Sequence, residues 1–153
     1  MPEPYRHSVA VAGVVVREDG KVLVIRRRDN GQYQAPGGIL ERDERIEDGV
    51  AREILEETGL RVAPEWLSGI YKNMGLGVVA LVFRARLLGG TPATTDEAAE
   101  VLWMDRDQVA ERMTEAFAIR VIDALDGPWP HLRHHDGMRL LPDPAGVPGG
   151  ERG

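Results

Sequence analysis

The sequence predicts an α/β fold in which a mixed β-sheet carries helices on both sides. Short runs rich in aliphatic and β-branched residues predict strands at residues 9–16, 21–26, 78–83 and 101–104. Apolar residues at helical spacing predict helices at residues 45–58 and 114–125. The order of these strands and helices along the chain is typical of a layered α/β domain.

The N-terminal part of the domain is predicted to be a β-hairpin. Residues 9–16 form the first strand, residues 17–20 (Arg-Glu-Asp-Gly) form the turn and residues 21–26 form the returning strand. The basic run Arg26-Arg27-Arg28 follows directly. Such runs are usually only solvated, but this one precedes a glycine-rich loop, so Arg26 and Arg28 are candidate contacts for a substrate phosphate.

The helix predicted at residues 45–58 has an apolar side that faces a core. Ile46, Val50 and Ile54 recur every four residues, which is the spacing of an apolar stripe on a helix. Gly59 follows the last turn, where a left-handed cap favours glycine.

Three carboxylates project from another side of the same helix. Glu53, Glu56 and Glu57 are separated by three and four residues, so they are neighbours on the helix surface. They repel one another, and the helix dipole disfavours negative charge near this C-terminal end. A hard divalent cation such as Mg²⁺ or Mn²⁺ would relieve the repulsion. Taken alone, the cluster is equally compatible with a solvated acidic surface.

Beyond this helix the predicted elements are a strand-like region, a loop, a strand and two helices. Residues 61–71 are strand-like but interrupted by Pro64, and residues 71–77 form a loop that reaches towards the substrate. The strand at residues 78–83 is followed by a turn at residues 88–92. A short helix starts near residue 105, and Gly127-Pro128 ends the longer helix at residues 114–125.

The length of 153 residues fits one domain, which we place at residues 1–126. Residues 127–153 are rich in Pro and Gly and predict a mobile tail. Because the tail has no supporting core, its histidines (His131, His134 and His135) are weak metal candidates.

Composition excludes several classes of function. The chain has no cysteine, so it has neither disulfides nor thiolate chemistry. Its net charge of −6 argues against a nucleic-acid polymer as partner. No apolar run is long enough to cross a bilayer and the N-terminus is unlike a secretory signal, so we expect a cytoplasmic protein without a membrane partner.

Residues 38–60 resemble the signature of the Nudix hydrolase family. The matching positions are Gly38, Glu44, Arg52, Glu53, Ile54, Glu56, Glu57, Gly59 and Leu60. The resemblance extends to residues 34–38 before the signature and to residues 97–103, and covers most of residues 8–125. It implies the α/β/α sandwich of that family.

The resemblance also implies a Mg²⁺-dependent hydrolase, with Mn²⁺ as an alternative metal. Glu53 and Glu57 would bind the metal, which polarises phosphoryl oxygens and activates water, and Glu56 is either a further ligand or the general base. Arg52 and Glu44 would pair and hold the loop in place.

Further site residues are expected around this centre. The family implies a metal contact from the carbonyl of Gly38, and Glu100 or Glu97 as a ligand or base outside the helix. Gly37 and Gly38 let the backbone approach the substrate closely, and Tyr33 either packs beneath this loop or lines the substrate pocket.

The substrate implied by the resemblance is a small molecule in which a nucleoside diphosphate is linked to a further group. Residues that mark the diadenosine polyphosphate, ADP-ribose and coenzyme A subgroups have no counterpart here. This favours a MutT-like pyrophosphohydrolase acting on a nucleoside triphosphate or a similar small nucleotide. The alternative is a non-catalytic nucleotide-sensing or interaction module. A homodimer is one of the assembly states left open.

Overall fold

The computed structural model of the chain describes residues 5–142. Its strands are Ser8–Val15 (β1), Val22–Arg27 (β2), Tyr33–Gln34 (β3), Gly37–Ile39 (β4), Leu60–Asn73 (β5), Val78–Gly90 (β6), Ala98–Met104 (β7) and His131–His135 (β8). Its helices are Ile46–Thr58 (α1), Arg106–Arg112 (α2) and Glu115–Leu125 (α3). Within this range no helix is both long enough and apolar enough to span a membrane.

The strands form two sheets. The larger sheet has five strands in the order β4-β1-β6-β5-β8, and it is mixed because β1–β6 and β5–β8 are parallel pairs while the other pairs are antiparallel. The smaller sheet is antiparallel, in the order β3-β2-β7. The predicted α/β class with a mixed sheet is therefore confirmed.

Helices cover both faces of β1, as the sandwich requires. Val11 of β1 belongs to a buried cluster with Val50 and Ile54 of α1. Val14, which points to the opposite face of the strand, lies in a second cluster with Val121 of α3. Alternation along one strand thus places α1 on one side and α3 on the other.

The three helices lie where the sequence predicted them. Gly59 ends α1 in the left-handed conformation with φ of 78°. Asp105 caps α2, because its side chain accepts a hydrogen bond from the Gln108 N–H at 2.8 Å. Thr114 is the residue before α3.

The predicted hairpin of residues 9–16 and 21–26 is wrong. β1 and β2 lie in different sheets and are joined by a single bridge between Val16 and Val22. The turn between them does form, with Gly20 at φ of 86°. Both strands are largely buried, and β1 pairs with β6 at eight positions, so longer-range partners replace the local pairing.

The strands β5 and β6 are longer than predicted. β5 continues through Pro64, where the register with β6 shifts between Pro64 and Trp66. A bulge accommodates a proline that lacks the N–H needed for a regular ladder. β6 likewise extends into the turn predicted at residues 88–92 and ends at Gly90, whose φ is 101°.

Residues 131–135, expected to belong to a mobile tail, form β8 beside β5. The guanidinium of Arg133 donates two hydrogen bonds to the carboxylate of Asp123 on α3, at 2.6 and 2.8 Å. The hydroxyl of Tyr71 donates to the same carboxylate at 2.8 Å. An ion pair rather than an aliphatic pattern anchors β8, which is why composition did not reveal it. Residues 143–153 of the predicted tail lie outside the described residues.

Removing this anchor is expected to destabilise the fold. Asp123 is 2% exposed, so Asp123→Ala removes the acceptor of the buried Tyr71 hydroxyl and breaks the ion pair with Arg133. We expect a loss of about 3 kcal/mol, or roughly 5–10 °C in thermal midpoint measured by circular dichroism. The matched control is Asp126→Ala, which breaks the exposed pair with Arg106 and should cost at most about 1 kcal/mol. Equal losses in the two variants would contradict the anchoring role.

Candidate active site

A cavity of about 730 Å³ lies against the five-stranded sheet. All five strands contribute to its lining, and much of its floor is formed by small residues, among them Ala10, Ala12, Ala80, Gly37 and Gly38. Small side chains on adjacent strands leave room above the sheet. The volume lies in the range of sites for nucleotide-sized ligands.

Two carboxylates of α1 form one end of this cavity. Glu53 and Glu57 both line it, and Glu57 is only 4% exposed. Glu56 points away, with its side chain 60% exposed and its carboxylate 3.2 Å from an Arg52 nitrogen. One turn of α1 therefore presents two carboxylates to the cavity and the third to solvent.

The loop before α1 contacts both buried carboxylates. The backbone N–H of Gly37 donates to the carboxylate of Glu57 at 2.9 Å. A Cβ atom at Gly38 would lie 2.5 Å from the carboxyl carbon of Glu53. Glycine is thus required at residue 38 for this approach to Glu53, while the close approach of the two glycines to a substrate stays a prediction.

Arg52 and Glu44 pair as the sequence predicted. The Arg52 Nε and Nη2 atoms donate to the two carboxylate oxygens of Glu44, at 2.8 and 2.6 Å. Arg52 also donates to the carbonyl of Ile39 and to Glu53, at 3.2 and 3.0 Å. Hydrogen bonds from Arg52 hold the pKa of Glu44 at about 2. The pair ties the loop at residues 39–44 to α1 and orients Glu53.

Both cavity carboxylates have raised pKa values. Burial, followed by repulsion from Glu53 and Glu97, raises the pKa of Glu57 to about 8, against the opposing effect of the Gly37 N–H. Burial is also the main cause that raises the pKa of Glu53, with smaller contributions from Glu56 and Glu97. The site therefore disfavours the charged form of both carboxyl groups when no cation is bound.

The predicted metal ligands are only partly brought together. Gly38, Glu53 and Glu57 share the cavity end, whereas Glu56 faces Arg52, and Glu100 pairs with Arg26 at 3.1 Å. Across residues 5–142 no three carboxylate or imidazole side chains converge tightly enough to hold one ion by themselves. The oxygen donors of Glu53 and Glu57 nevertheless fit a hard divalent cation, since Mg²⁺ is commonly held by one or two carboxylates with water and substrate oxygens.

Comparison with known proteins identifies the family. Residues 6–125 match the NUDIX domain family. The chain is a Nudix hydrolase. A "MutT-like protein" of Streptomyces ambofaciens is 58% identical over 139 residues, which cover 91% of this chain and 90% of that protein. An "ADP-ribose pyrophosphatase" of Methanocaldococcus jannaschii is 33% identical over 66% of this chain and 64% of that protein.

A solved structure shares the fold. The crystal structure of an ADP-ribose pyrophosphatase from Streptococcus suis superposes with a TM-score of 0.72 at 22% identity, covering 85% of this chain and all of that chain. Nudix hydrolases generally use a divalent metal and act on small nucleotide substrates. The two carboxylates at the acidic end of the cavity, Glu53 and Glu57, lie on the helix that carries the family signature.

The other predicted substrate contacts of this Nudix hydrolase lie outside the cavity lining. Arg26 pairs with Glu100, and Arg28 donates to the carbonyl of Thr95 at 3.0 and 3.2 Å. Tyr33 packs against the core, which is one of the two alternatives that the sequence left open. Arg27 lines the cavity instead, beside a bulge between Arg26 and Arg27 that changes the alternation of β2.

The residues at the other end of the Nudix cavity were only partly predicted. Asn73 and Leu76 come from the loop that was expected to reach the substrate, but Phe117, Arg120 and His135 were not predicted to face a ligand. Phe117 falls in the predicted helix at residues 114–125, and His135 falls in the predicted tail. The one available signal was Arg120 within the mostly apolar α3.

The buried carboxyl group of Glu57 should make the stability of the metal-free protein depend on pH. Its pKa is higher in the folded state than the ordinary value of 4.5. Its contribution to the free energy of unfolding is therefore fully present below pH 4.5 and is lost as pH rises through about 8. In excess chelator, Glu57→Gln should therefore raise the thermal midpoint at pH 9 by roughly 3 °C or more. The gain should shrink towards pH 5.

Glu56→Gln is the matched control, because this neighbouring side chain is exposed. It should change the midpoint by no more than about 0.5 kcal/mol at either pH. A wild type that is more stable than Glu57→Gln at pH 9 would contradict the buried-charge interpretation.

Proposed function

We propose that this Nudix hydrolase is a Mg²⁺-dependent pyrophosphohydrolase that cleaves the diphosphate linkage of a nucleoside triphosphate or a similar small nucleotide. The observation that carries the proposal is the position of Glu53 and Glu57, side by side at one end of a cavity large enough for a nucleotide. Their carboxylates would repel a diphosphate unless a cation lay between them and the substrate.

Four residues have separate roles at this end of the cavity. Glu53 and Glu57 would hold the metal, which when bound neutralises phosphate charge and lowers the pKa of a bound water. Arg52 fixes the orientation of Glu53, and the Gly37 N–H fixes that of Glu57. Preorganised carboxylates avoid the cost of rearranging charged side chains during the reaction.

A carboxylate outside the metal pair is needed to accept a proton from the attacking water. Glu97 lines the cavity and its charge acts on both Glu53 and Glu57. Glu100 is paired with Arg26, and Glu56 lies against Arg52. We therefore assign Glu97 as the general-base candidate, because a base must lie within reach of the reacting water.

The similar proteins support a small nucleotide as substrate. The relative that is 58% identical bears the name MutT-like, which agrees with the substrate class favoured by the sequence. The archaeal relative is named for ADP-ribose, a nucleoside diphosphate linked to a sugar. A substrate panel therefore includes both nucleoside triphosphates and nucleotide sugars.

The first test of the proposal is hydrolysis of that panel with Mg²⁺ and with chelator. Wild type should release phosphate or pyrophosphate only with the metal, and Glu57→Gln should lose at least about 100-fold in kcat/KM, since even residues that support metal ligands cost 10- to 100-fold. A non-catalytic nucleotide sensor would bind members of the panel without turnover and would be indifferent to Glu57→Gln. That result would overturn the proposal.

The second test uses Gly38→Ala. The added Cβ would meet the flexible end of Glu53, so the carboxylate can move aside at little cost to the fold but leaves its place in the cavity. We expect the Mg²⁺ concentration for half-maximal activity to rise about tenfold or more, with a nearly unchanged thermal midpoint.

Gly75→Ala is the matched control for this substitution. A Cβ there has its nearest neighbour at 3.5 Å, which is an ordinary contact. It should leave the requirement for Mg²⁺ as in the wild type. If Gly38→Ala also leaves it unchanged, then Glu53 does not bind the metal from its observed position.

A further inference from the structure

The end of the cavity opposite the carboxylates contains a buried cation that lacks an anionic partner. Arg120 of α3 lines the cavity, and no carboxylate within residues 5–142 forms an ion pair with it. Its Nε atom is buried without a hydrogen-bond partner among those residues. The guanidinium carbon lies 4.8 Å from the centre of the Phe117 ring and 5.3 Å from that of Tyr71. Burial lowers the pKa of Arg120 to about 10.

His135 of β8 adds a second donor beside Arg120. Its Nδ1 accepts a hydrogen bond from the Gly137 N–H at 3.0 Å, so a neutral ring carries its proton on Nε2. The Arg120 Nη2 atom lies 3.3 Å from this Nε2. Burial and the charge of Arg120 lower the pKa of His135, which keeps the ring neutral. Two donors therefore face each other, and a buried donor without an acceptor is costly.

The surroundings of this donor pair suit a planar group. The cavity wall here includes the Phe117 ring, the aliphatic side chains of Leu76 and Val78, and the Asn73 amide. An aromatic ring beside directed donors is typical of sites that bind a heterocycle by its face and its edge.

The donor pair of Arg120 and His135 lies far across the sheet from the carboxylate end of the cavity. Gly38 belongs to β4 at one edge of the sheet and His135 to β8 at the other, four strand spacings away. At about 4.8 Å per spacing this is about 19 Å between the two backbones. Since side chains reach inwards from both ends, a nucleotide lying across the sheet would have its phosphates at Glu53 and its base near Arg120.

We propose that Arg120 and His135 form the base-recognition site of this enzyme and select a nucleobase that presents two adjacent hydrogen-bond acceptors, as guanine does with N7 and O6. In DNA recognition a single arginine pairs with that edge through two parallel hydrogen bonds. Here the Arg120 guanidinium and the Nε2–H of His135 would supply the two donors. Adenine places an amino donor beside N7, so one of the two donors in the site would meet another donor. The proposal rests on the proposed function, because it assumes that the phosphates lie at the carboxylate end.

The test compares kcat/KM for GTP and ATP in the wild type and in Arg120→Met, with Mg²⁺ present. The wild type should prefer GTP by about 10- to 100-fold, and Arg120→Met should lose most of that preference by acting mainly on GTP. Arg120→Lys keeps the charge but not the two-pronged geometry, so it should lie between them. Arg106→Met, which removes an arginine paired with Asp126 at the surface, should match the wild type.

Thermal stability separates recognition from a structural role. Removing an unpaired buried cation should leave the thermal midpoint of the nucleotide-free Arg120→Met protein unchanged or higher, although its GTP activity falls. A lower midpoint with an unchanged GTP to ATP ratio would mean that Arg120 only supports the fold, which overturns the proposal. If Arg120→Met does not fold, the same ratio in Arg120→Lys decides.

The remaining outcomes are also decisive. An equal loss for GTP and ATP would show that Arg120 contacts a group common to both, such as ribose or phosphate, and would overturn base recognition. Absence of turnover with every nucleotide would overturn the proposed function itself. In that case the affinities of GTP and ATP, measured by calorimetry in wild type and Arg120→Met, still test whether Arg120 selects the base.

Discussion

The candidate site depends on two carboxyl groups, Glu53 and Glu57, that are held side by side and partly out of water at one end of the cavity. Burial disfavours their charged forms and raises both pKa values. Other contacts fix both groups in place: Arg52 bridges Glu53 and the loop that carries Glu44, and the Gly37 N–H binds Glu57. The apolar side of α1 packs against β1 and keeps the helix in place. The fold thus keeps two carboxyl groups where their charged forms are disfavoured unless a divalent cation is bound, and local conflicts of this kind are typical of functional sites.

Local rules predicted the elements whose structure is decided within a few residues. The apolar repeat and Gly59 give the limits of α1, and Asp105 marks the start of α2. Pairing between strands was harder to predict, because the sequence of a strand does not specify which strand it pairs with. β1 bonds to β6 rather than to the adjacent β2, and β8 is a short polar strand fixed by the Asp123–Arg133 pair. Its pairing with β5 and its ion pair with α3 hold it in place, and composition and periodicity detect neither.

The site was predictable to the extent that it lies on one helix and its preceding loop. The pairing of Arg52 with Glu44 and the approach of Gly37 and Gly38 to the carboxylates follow from fixed spacings in the signature. Residues on strands were predicted less well, since a bulge in β2 brings Arg27 rather than Arg26 to the cavity. The opposite end, with Arg120 and His135, is assembled from α3 and β8, which no sequence motif connects. Its chemistry lies in two hydrogen-bond donors that face each other across these elements.

The most direct test of this account is a crystal structure of the protein with Mn²⁺ and a non-hydrolysable nucleotide, with data collected for the anomalous signal of manganese. The account predicts an anomalous peak between the carboxylate oxygens of Glu53 and Glu57 and the phosphate oxygens of the nucleotide, beside the Gly38 backbone. A nucleotide bound elsewhere, with no manganese at these two carboxylates, would contradict it.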